Sequence, residues 1–168
     1  IKELLEMITE LEIDFAIEQI KAGADIIGLG DAIASQLSPE LYQEFALPYE
    51  QRIFHAVKEN GGIARLHICG DTNTILKSMI QSGADIIDLD WMVDINEAES
   101  IYGKDIVFCG NMDPVSLFLN GSVNDVYTAT TRTLSNSKSK IISAGGCEIP
   151  MGTPDENINA QNRSLILS

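Results

Sequence analysis

Five short runs rich in β-branched residues recur along the chain, and a helical pattern follows each of them. They lie at about residues 24–30, 62–69, 84–90, 105–110 and 140–145. Strands that alternate with helices pair in parallel, because a parallel connection needs a crossover and the crossover is usually a helix. The pattern therefore predicts an α/β fold with a parallel sheet of about five strands.

Two of these runs are near repeats of each other. Residues 22–31 read AGADIIGLGD and residues 82–91 read SGADIIDLDW, each with a helix end, a glycine turn and a buried strand. We expect the two segments to occupy similar places in one sheet. Ser38 and Pro39 predict a helix start, and Pro48 should kink or divide that helix. Thr72 or Asp71 is expected to cap the next helix, near residues 74–82. Because no low-complexity linker interrupts the pattern, we expect residues 1–168 to form one domain.

The charge of the chain excludes several kinds of partner. A formal net charge of −14 and a pI near 4.3 argue against nucleic acid and anionic membranes, since both attract clustered Lys and Arg. The sequence has no apolar run long enough to span a membrane, and its start lacks the basic-then-apolar pattern of a signal peptide. We expect a cytoplasmic protein whose three cysteines are thiols.

Polar and thiol side chains collect where the predicted strands end. They are Asp31, His67, Cys69, Asp88, Asp90, Asn111 and Cys147. In parallel α/β folds the carboxyl edge of the sheet is where ligands bind. Period-two alternation places His67 and Cys69 on one strand face and Leu66 and Ile68 on the other.

His67, Cys69 and Cys147 are the candidate metal ligands. Imidazole nitrogen and thiolate sulfur suit zinc, and three protein ligands leave a position open for substrate, as in catalytic zinc sites. Gly70, Gly145 and Gly146 flank the ligands, as expected where backbone approaches another group closely. The alternative is a buried His–Cys pair that only packs in the core.

Other residues near these strand ends have less specific roles. Asp88 and Asp90 share a strand face and are candidates for acid–base work or for orienting a metal ligand, unless they only bond neighbouring loops. Asp31 and Asn111 are candidates for lining the pocket, and Asn111 is with Asp88 and Asp90 a candidate catalytic residue that could orient His67, anchor the polar end of a substrate or receive its proton. Trp91 either packs or contacts a flat cofactor. Cys109, within an apolar run, and His55, within a helical stretch, are expected to be structural.

An ordered set of motifs resembles the uroporphyrinogen decarboxylase superfamily, and within it the zinc-dependent corrinoid methyltransferases. The motifs are HICGDT at 67–72, GAD at 83–85, DLDW at 88–91, GNMDP at 110–114, GCEIP at 146–150 and TPDEN at 153–157. The resemblance runs from about residue 15 to 163.

The resemblance implies a (β/α)8 TIM barrel of about twice this length, of which this chain would supply the C-terminal part. Its five βα units look like the last five, so the domain would be a partial barrel with its N-terminal strands missing. An open half barrel exposes a sheet edge. We therefore expect self-association into a homo-oligomer through that edge.

The resemblance also implies a reaction. The zinc-binding branch has a His-x-Cys pair and a later cysteine, positions filled here by His67, Cys69 and Cys147. The decarboxylase needs no metal, lacks the pair and carries histidine where Cys147 stands. We therefore expect zinc-dependent methyl transfer between a corrinoid such as methylcobalamin, free or on a corrinoid protein, and a small thiol such as coenzyme M. A uroporphyrinogen decarboxylase of porphyrin biosynthesis, or a non-catalytic barrel fragment, remains the alternative.

Overall fold

The computed structural model of the chain describes residues 1–103, 106–138 and 140–166. The helices are α1 (Lys2–Lys21), α2 (Pro39–Phe45), α3 (Leu47–Glu59), α4 (Leu76–Ile80), α5 (Ile95–Tyr102), α6 (Val123–Asn136) and α7 (Asp155–Ile166). A 3-10 turn spans Ala34–Gln36 and a π-helix spans Pro114–Leu119. The strands are β1 (Ile26–Gly30), β2 (Ile63–Ile68), β3 (Ile86–Leu89), β4 (Val107–Met112) and β5 (Ile141–Gly145).

The five strands form one sheet in the order β1-β2-β3-β4-β5, which confirms the predicted α/β fold with five βα units. β1 pairs with β2 in parallel, with Gly30 opposite His67. β4 pairs with β5 in parallel, with Asn111 opposite Ala144. The expected start of the fourth strand at Asp105 lies outside the described residues. Contacts divide the chain into two compact units, Ile1–Ile87 and Asp88–Ser168, which we describe separately.

Local sequence signals account for the helix boundaries of the first unit. The Ser38 hydroxyl accepts a hydrogen bond from the Leu41 N–H at 3.3 Å, and Pro39 occupies the first turn of α2. α2 ends at Phe45 and α3 begins at Leu47, so the division predicted from Pro48 is confirmed. No side-chain cap hydrogen bond precedes α4. The cap expected from Thr72 or Asp71 is therefore wrong, because the Asp71 carboxylate instead accepts from the Asn73 N–H in a turn of its own.

The core of the first unit lies between β2 and the apolar face of α3. Ala64, Leu66 and Ile68 of β2 are fully buried, as are Phe54 and Val57 of α3. Burial of such side chains stabilises the unit by roughly 1.5–3 kcal/mol each. At the surface, Arg52 of α3 forms ion pairs with Glu6 and Glu10 of α1.

The second unit has a core between β4 and the helices that follow it. Met112, Phe118, Val126 and Ala160 form one buried cluster. The Asn157 amide of α7 donates to the Phe118 and Gly121 carbonyls at 2.8 and 2.9 Å, which fixes α7 against the π-helix. Within the described residues, no helix combines the length and the apolar character needed to cross a membrane.

A buried carboxyl group interrupts the apolar face of α3. Glu50 is 2% exposed, and Tyr42 of α2 donates its hydroxyl to one Glu50 oxygen at 2.5 Å. The other oxygen, Oε1, accepts no hydrogen bond in the described structure. Burial raises the pKa of Glu50 to about 7, and the charge of Asp31 acts in the same direction. The hydrogen bond from Tyr42 acts in the opposite direction and lowers this pKa. The same burial raises the pKa of Tyr42. A largely uncharged acid therefore lies under α2 below neutral pH.

We predict that Glu50 makes the protein less stable as pH rises. Between pH 4.5 and about 7, the Glu50 carboxyl is protonated in the folded state but has lost its proton in the unfolded state. The free energy of unfolding therefore falls as pH rises across that range. The full shift corresponds to about 3 kcal/mol. Glu50→Gln, which keeps an acceptor for Tyr42, should match the wild type near pH 4.5 and exceed it in free energy of unfolding at pH 8.

Urea titrations at several pH values measure this difference. Glu3→Gln is the matched control, because Glu3 is exposed. Parallel pH profiles for the wild type and Glu50→Gln would contradict the prediction.

Candidate functional site

The alternation of β2 positions two of the predicted ligands. Leu66 and Ile68 are fully buried, whereas His67 and Cys69 are half-buried on the opposite face. The His67 Nε2 and Cys69 Sγ atoms lie 3.3 Å apart. The predicted separation of the two faces is confirmed, and a nitrogen and a sulfur ligand converge from one strand end.

The chain turns sharply directly after Cys69. Gly70 has φ +90°, a conformation that L residues rarely adopt, and a side chain there would lie 3.2 Å from the Ser35 hydroxyl. Asp31 at the end of β1 donates its backbone N–H to the His67 carbonyl at 3.0 Å. The loops after β1 and β2 are therefore fixed on either side of the ligand pair.

Cys147 follows β5 in the second unit, where the backbone is closely confined. The Gly146 N–H donates to the Met112 carbonyl at 2.8 Å. A Cβ atom on Gly146 would lie 2.4 Å from the Trp91 nitrogen and 2.8 Å from its Cα. Only glycine fits between these groups, so the close approach expected at this glycine is present and fixes the start of the Cys147 loop.

His67, Cys69 and Cys147 each offer one atom of the kind that zinc binds. In a tetrahedral zinc site, with Zn–S near 2.3 Å and Zn–N near 2.1 Å, ligand atoms are about 3.5–3.8 Å apart. The 3.3 Å between His67 and Cys69, which lie in the same unit, is close to that spacing. The chemistry of the three residues and the spacing of the His67–Cys69 pair therefore fit a zinc ion.

Asp88 and Asp90 are both buried, at 5% and 4% exposure. Asp88 lies within β3 and Asp90 follows it directly. The Asp90 carboxylate accepts a hydrogen bond from the Met92 N–H at 3.1 Å. Buried carboxylates beside a strand end suit either acid–base work or the orientation of a neighbouring group.

Asn111 has a defined structural role at the end of β4. Its side-chain nitrogen donates to the Asp90 carbonyl at 2.9 Å and to the Val93 carbonyl at 2.5 Å. Both amide protons are therefore committed to the loop that follows β3. This role was not foreseen from the sequence, although Asn in a Gly-Asn pair after a strand is a typical loop-bonding residue.

The remaining predicted residues differ in exposure. Trp91 is 45% exposed, which leaves part of its ring open to a ligand. The Asp31 side chain is half-buried, and burial raises its pKa. Cys109 is buried and His55 pairs with Glu59 at 3.3 Å on the surface of α3, in agreement with the structural roles expected for both.

Sequence reasoning missed the buried Tyr42–Glu50 pair near Asp31. The helical spacing of residues could have predicted that Glu50 is buried, because Glu50 falls on the same face of α3 as the apolar residues Leu47, Ile53, Phe54 and Val57. A charged residue on an apolar helical stripe must be neutralised or paired. The burial of Glu50 thus follows from the helix periodicity of α3.

Comparisons with known proteins agree with this architecture. The profile of the family described as uroporphyrinogen decarboxylase (URO-D) matches residues 1–163. A uroporphyrinogen decarboxylase of Nostoc punctiforme is 35% identical over 93% of this chain and 44% of its own length. A methylcobamide:CoM methyltransferase, MtbA, of Methanosarcina mazei is 34% identical over 92% of this chain and 45% of its own length.

Structure comparison gives the same result. A solved methyltransferase from Methanosarcina mazei superposes with a TM-score of 0.84 and 26% identity, over 93% of this chain and 46% of that one. The chain thus spans less than half the length of the relatives that it matches. Because the family profile covers nearly all of the chain, the chain belongs to the uroporphyrinogen decarboxylase family.

Proposed function

We propose that this chain carries the zinc site of a corrinoid-dependent methyltransferase that moves a methyl group between a methylated corrinoid and a small thiol such as coenzyme M. The observation that carries the proposal is the pair of donor atoms of His67 and Cys69, which lie 3.3 Å apart at the end of β2, and Cys147 is the third residue of the donor set. The similarity to a methylcobamide:CoM methyltransferase supports it. Since the chain spans less than half of such relatives, the activity is proposed for the protein that contains it.

The charges of the three ligands suit this chemistry. Two thiolates and one neutral imidazole balance the charge of Zn²⁺ and leave a fourth position for the substrate. A bound zinc ion would lower the pKa of an incoming thiol and so supply a thiolate nucleophile at neutral pH. His67 and Cys69, held by β2, and Cys147, held by Gly146, would keep the donor atoms in place.

The surrounding residues receive roles in keeping with their burial. We assign Asp88 and Asp90 to orienting a ligand or receiving the thiol proton, because both carboxylates are buried. We assign the half-exposed ring of Trp91 to contact with the flat corrinoid, and Asp31 to the pocket wall beside His67. Asn111 acts on the loop that carries Asp90 and Trp91.

Uroporphyrinogen decarboxylation is the second candidate, because a decarboxylase is as similar to the chain as a methyltransferase is. The cysteine at position 147 favours methyl transfer, since the decarboxylases resemble this chain in pattern but carry histidine there. A fragment that binds zinc without turnover is the third candidate. Metal content separates the decarboxylase from the other two candidates, and demethylation of methylcobalamin by an added thiol separates an active enzyme from a fragment that only binds zinc.

The charge and the thiols support the proposed setting. A net charge of −14 favours small molecules or a corrinoid protein as partners over nucleic acid or a membrane. The three cysteines form no disulfide in the described part of the chain, which suits a reducing cytoplasm. We therefore propose a cytoplasmic enzyme.

We predict self-association of the chain as part of this proposal. β1 is the first strand in the sheet order, and Leu4, Leu11 and Phe15 of α1 are each more than half exposed. Exposed apolar residues on a helix, together with a strand at the end of the sheet order, favour association with a second copy. Light scattering coupled to size exclusion should give a mass above that of one chain. A folded monomer at all concentrations would contradict this expectation.

The zinc prediction is tested by metal analysis. The wild type should retain about one zinc per chain after dialysis, and Cys69→Ala or Cys147→Ala should lose it, because each removes one of three ligands. Cys109→Ala is the matched control, since Cys109 is the third thiol and lies buried in β4. The control should keep its zinc. Metal loss from all three variants, or from none, would contradict the assignment.

The open fourth position is tested with cobalt. Co²⁺ in place of zinc should show thiolate charge-transfer absorption that increases when coenzyme M is added, because a third sulfur enters the site. About one proton should be released per site. A spectrum insensitive to added thiol would argue against thiol activation, and conversion of uroporphyrinogen by the metal-free protein would establish the decarboxylase instead.

A further inference from the structure

The side-chain amide of Asn111 is fixed in one orientation. Its nitrogen donates to the Asp90 and Val93 carbonyls at 2.9 and 2.5 Å. The Val93 N–H also donates to the Asp90 carbonyl at 3.1 Å. Asn111 therefore closes residues 90–93 into a turn that is held against the end of β4.

That turn contacts the loop that carries Cys147. The Trp91 backbone, between the two carbonyls that Asn111 binds, occupies the space that a Gly146 side chain would need. Gly146 is held from its other side by the Met112 carbonyl, one residue beyond Asn111 in β4. The residue that precedes Cys147 is thus confined between β4 and the turn.

We propose that Asn111 is a positioning residue for Cys147, acting through the Trp91 backbone and Gly146. The proposal rests on the zinc-dependent function proposed above. A displacement of the turn would shift Gly146 and with it the Cys147 sulfur, whereas His67 and Cys69 depend on β2. Partners that orient a metal ligand typically contribute about 10- to 100-fold to metal affinity.

The chain offers a matched control for the experiment. Asn157 also donates its side-chain nitrogen to two carbonyls, those of Phe118 and Gly121, at 2.8 and 2.9 Å. Asn157→Ala therefore removes an equivalent pair of hydrogen bonds, from a side-chain amide to two carbonyls, at another place in the second unit. The turn at Trp91 is left intact. Comparison of the two variants separates loss of stability from loss of ligand position.

Zinc affinity is measured by chelator competition, and the Co²⁺ absorption spectrum is recorded for each variant. We expect Asn111→Ala to weaken zinc binding about 10- to 100-fold and to shift the thiolate charge-transfer and ligand-field bands. Asn157→Ala should leave both unchanged, even where urea titration shows a similar loss of stability.

Equal affinities and spectra for the two variants would overturn the inference while the zinc site stands. A wild-type protein that binds no zinc would instead overturn the proposed function. If Asn111→Ala does not fold, the pair Asn111→Ser and Asn157→Ser replaces it, since serine keeps one donor.

Gly146→Ala then provides the second measurement, because it displaces the contact with the Trp91 backbone while Asn111 is intact, and it should reproduce the spectral shift. Gly28→Ala, with open space around its added carbon, is its control.

Discussion

The alternation of side chains along β2 is the constraint on which the candidate site depends. Leu66 and Ile68 must be buried beneath the helices of their unit, and their burial leaves His67 and Cys69 no choice of face. A shift of one residue in register would bury the two ligands and expose the apolar pair. The hydrophobic effect in the core therefore holds two donor atoms 3.3 Å apart at the strand end.

Cys147 is positioned by a different physical means. Cys147 lies beyond the end of β5, so the alternation of side chains along a strand does not set its position. The confined backbone of Gly146 does so instead, because Gly146 lies against the Trp91 backbone and donates its N–H to the Met112 carbonyl. The turn at residues 90–93, which contains Trp91, is closed by the side-chain amide of Asn111. Strand periodicity thus fixes His67 and Cys69, and a series of backbone contacts fixes Cys147, the third proposed ligand.

The buried acid of the first unit shows how function and stability diverge. Glu50 interrupts an otherwise apolar face of α3, and its pKa of about 7 means that the fold carries a cost at neutral pH. A purely structural residue at that position would be apolar. The carboxyl group of Glu50 is instead bonded to Tyr42 and influenced by the charge of Asp31.

The sequence alone determined the α/β class, the five strands, the division of the helix at Pro48 and the common face of His67 and Cys69. These features follow from periodicity and turn chemistry, which act between residues close in the chain. The motifs also indicated the family. Helix periodicity also signals the burial of Glu50, although it does not identify Tyr42 as its partner. Tertiary structure alone decided that Asn111 binds two loop carbonyls and that the Trp91 backbone leaves Gly146 no room for a side chain. These contacts join segments far apart in the chain, and no local pattern specifies which groups will meet there.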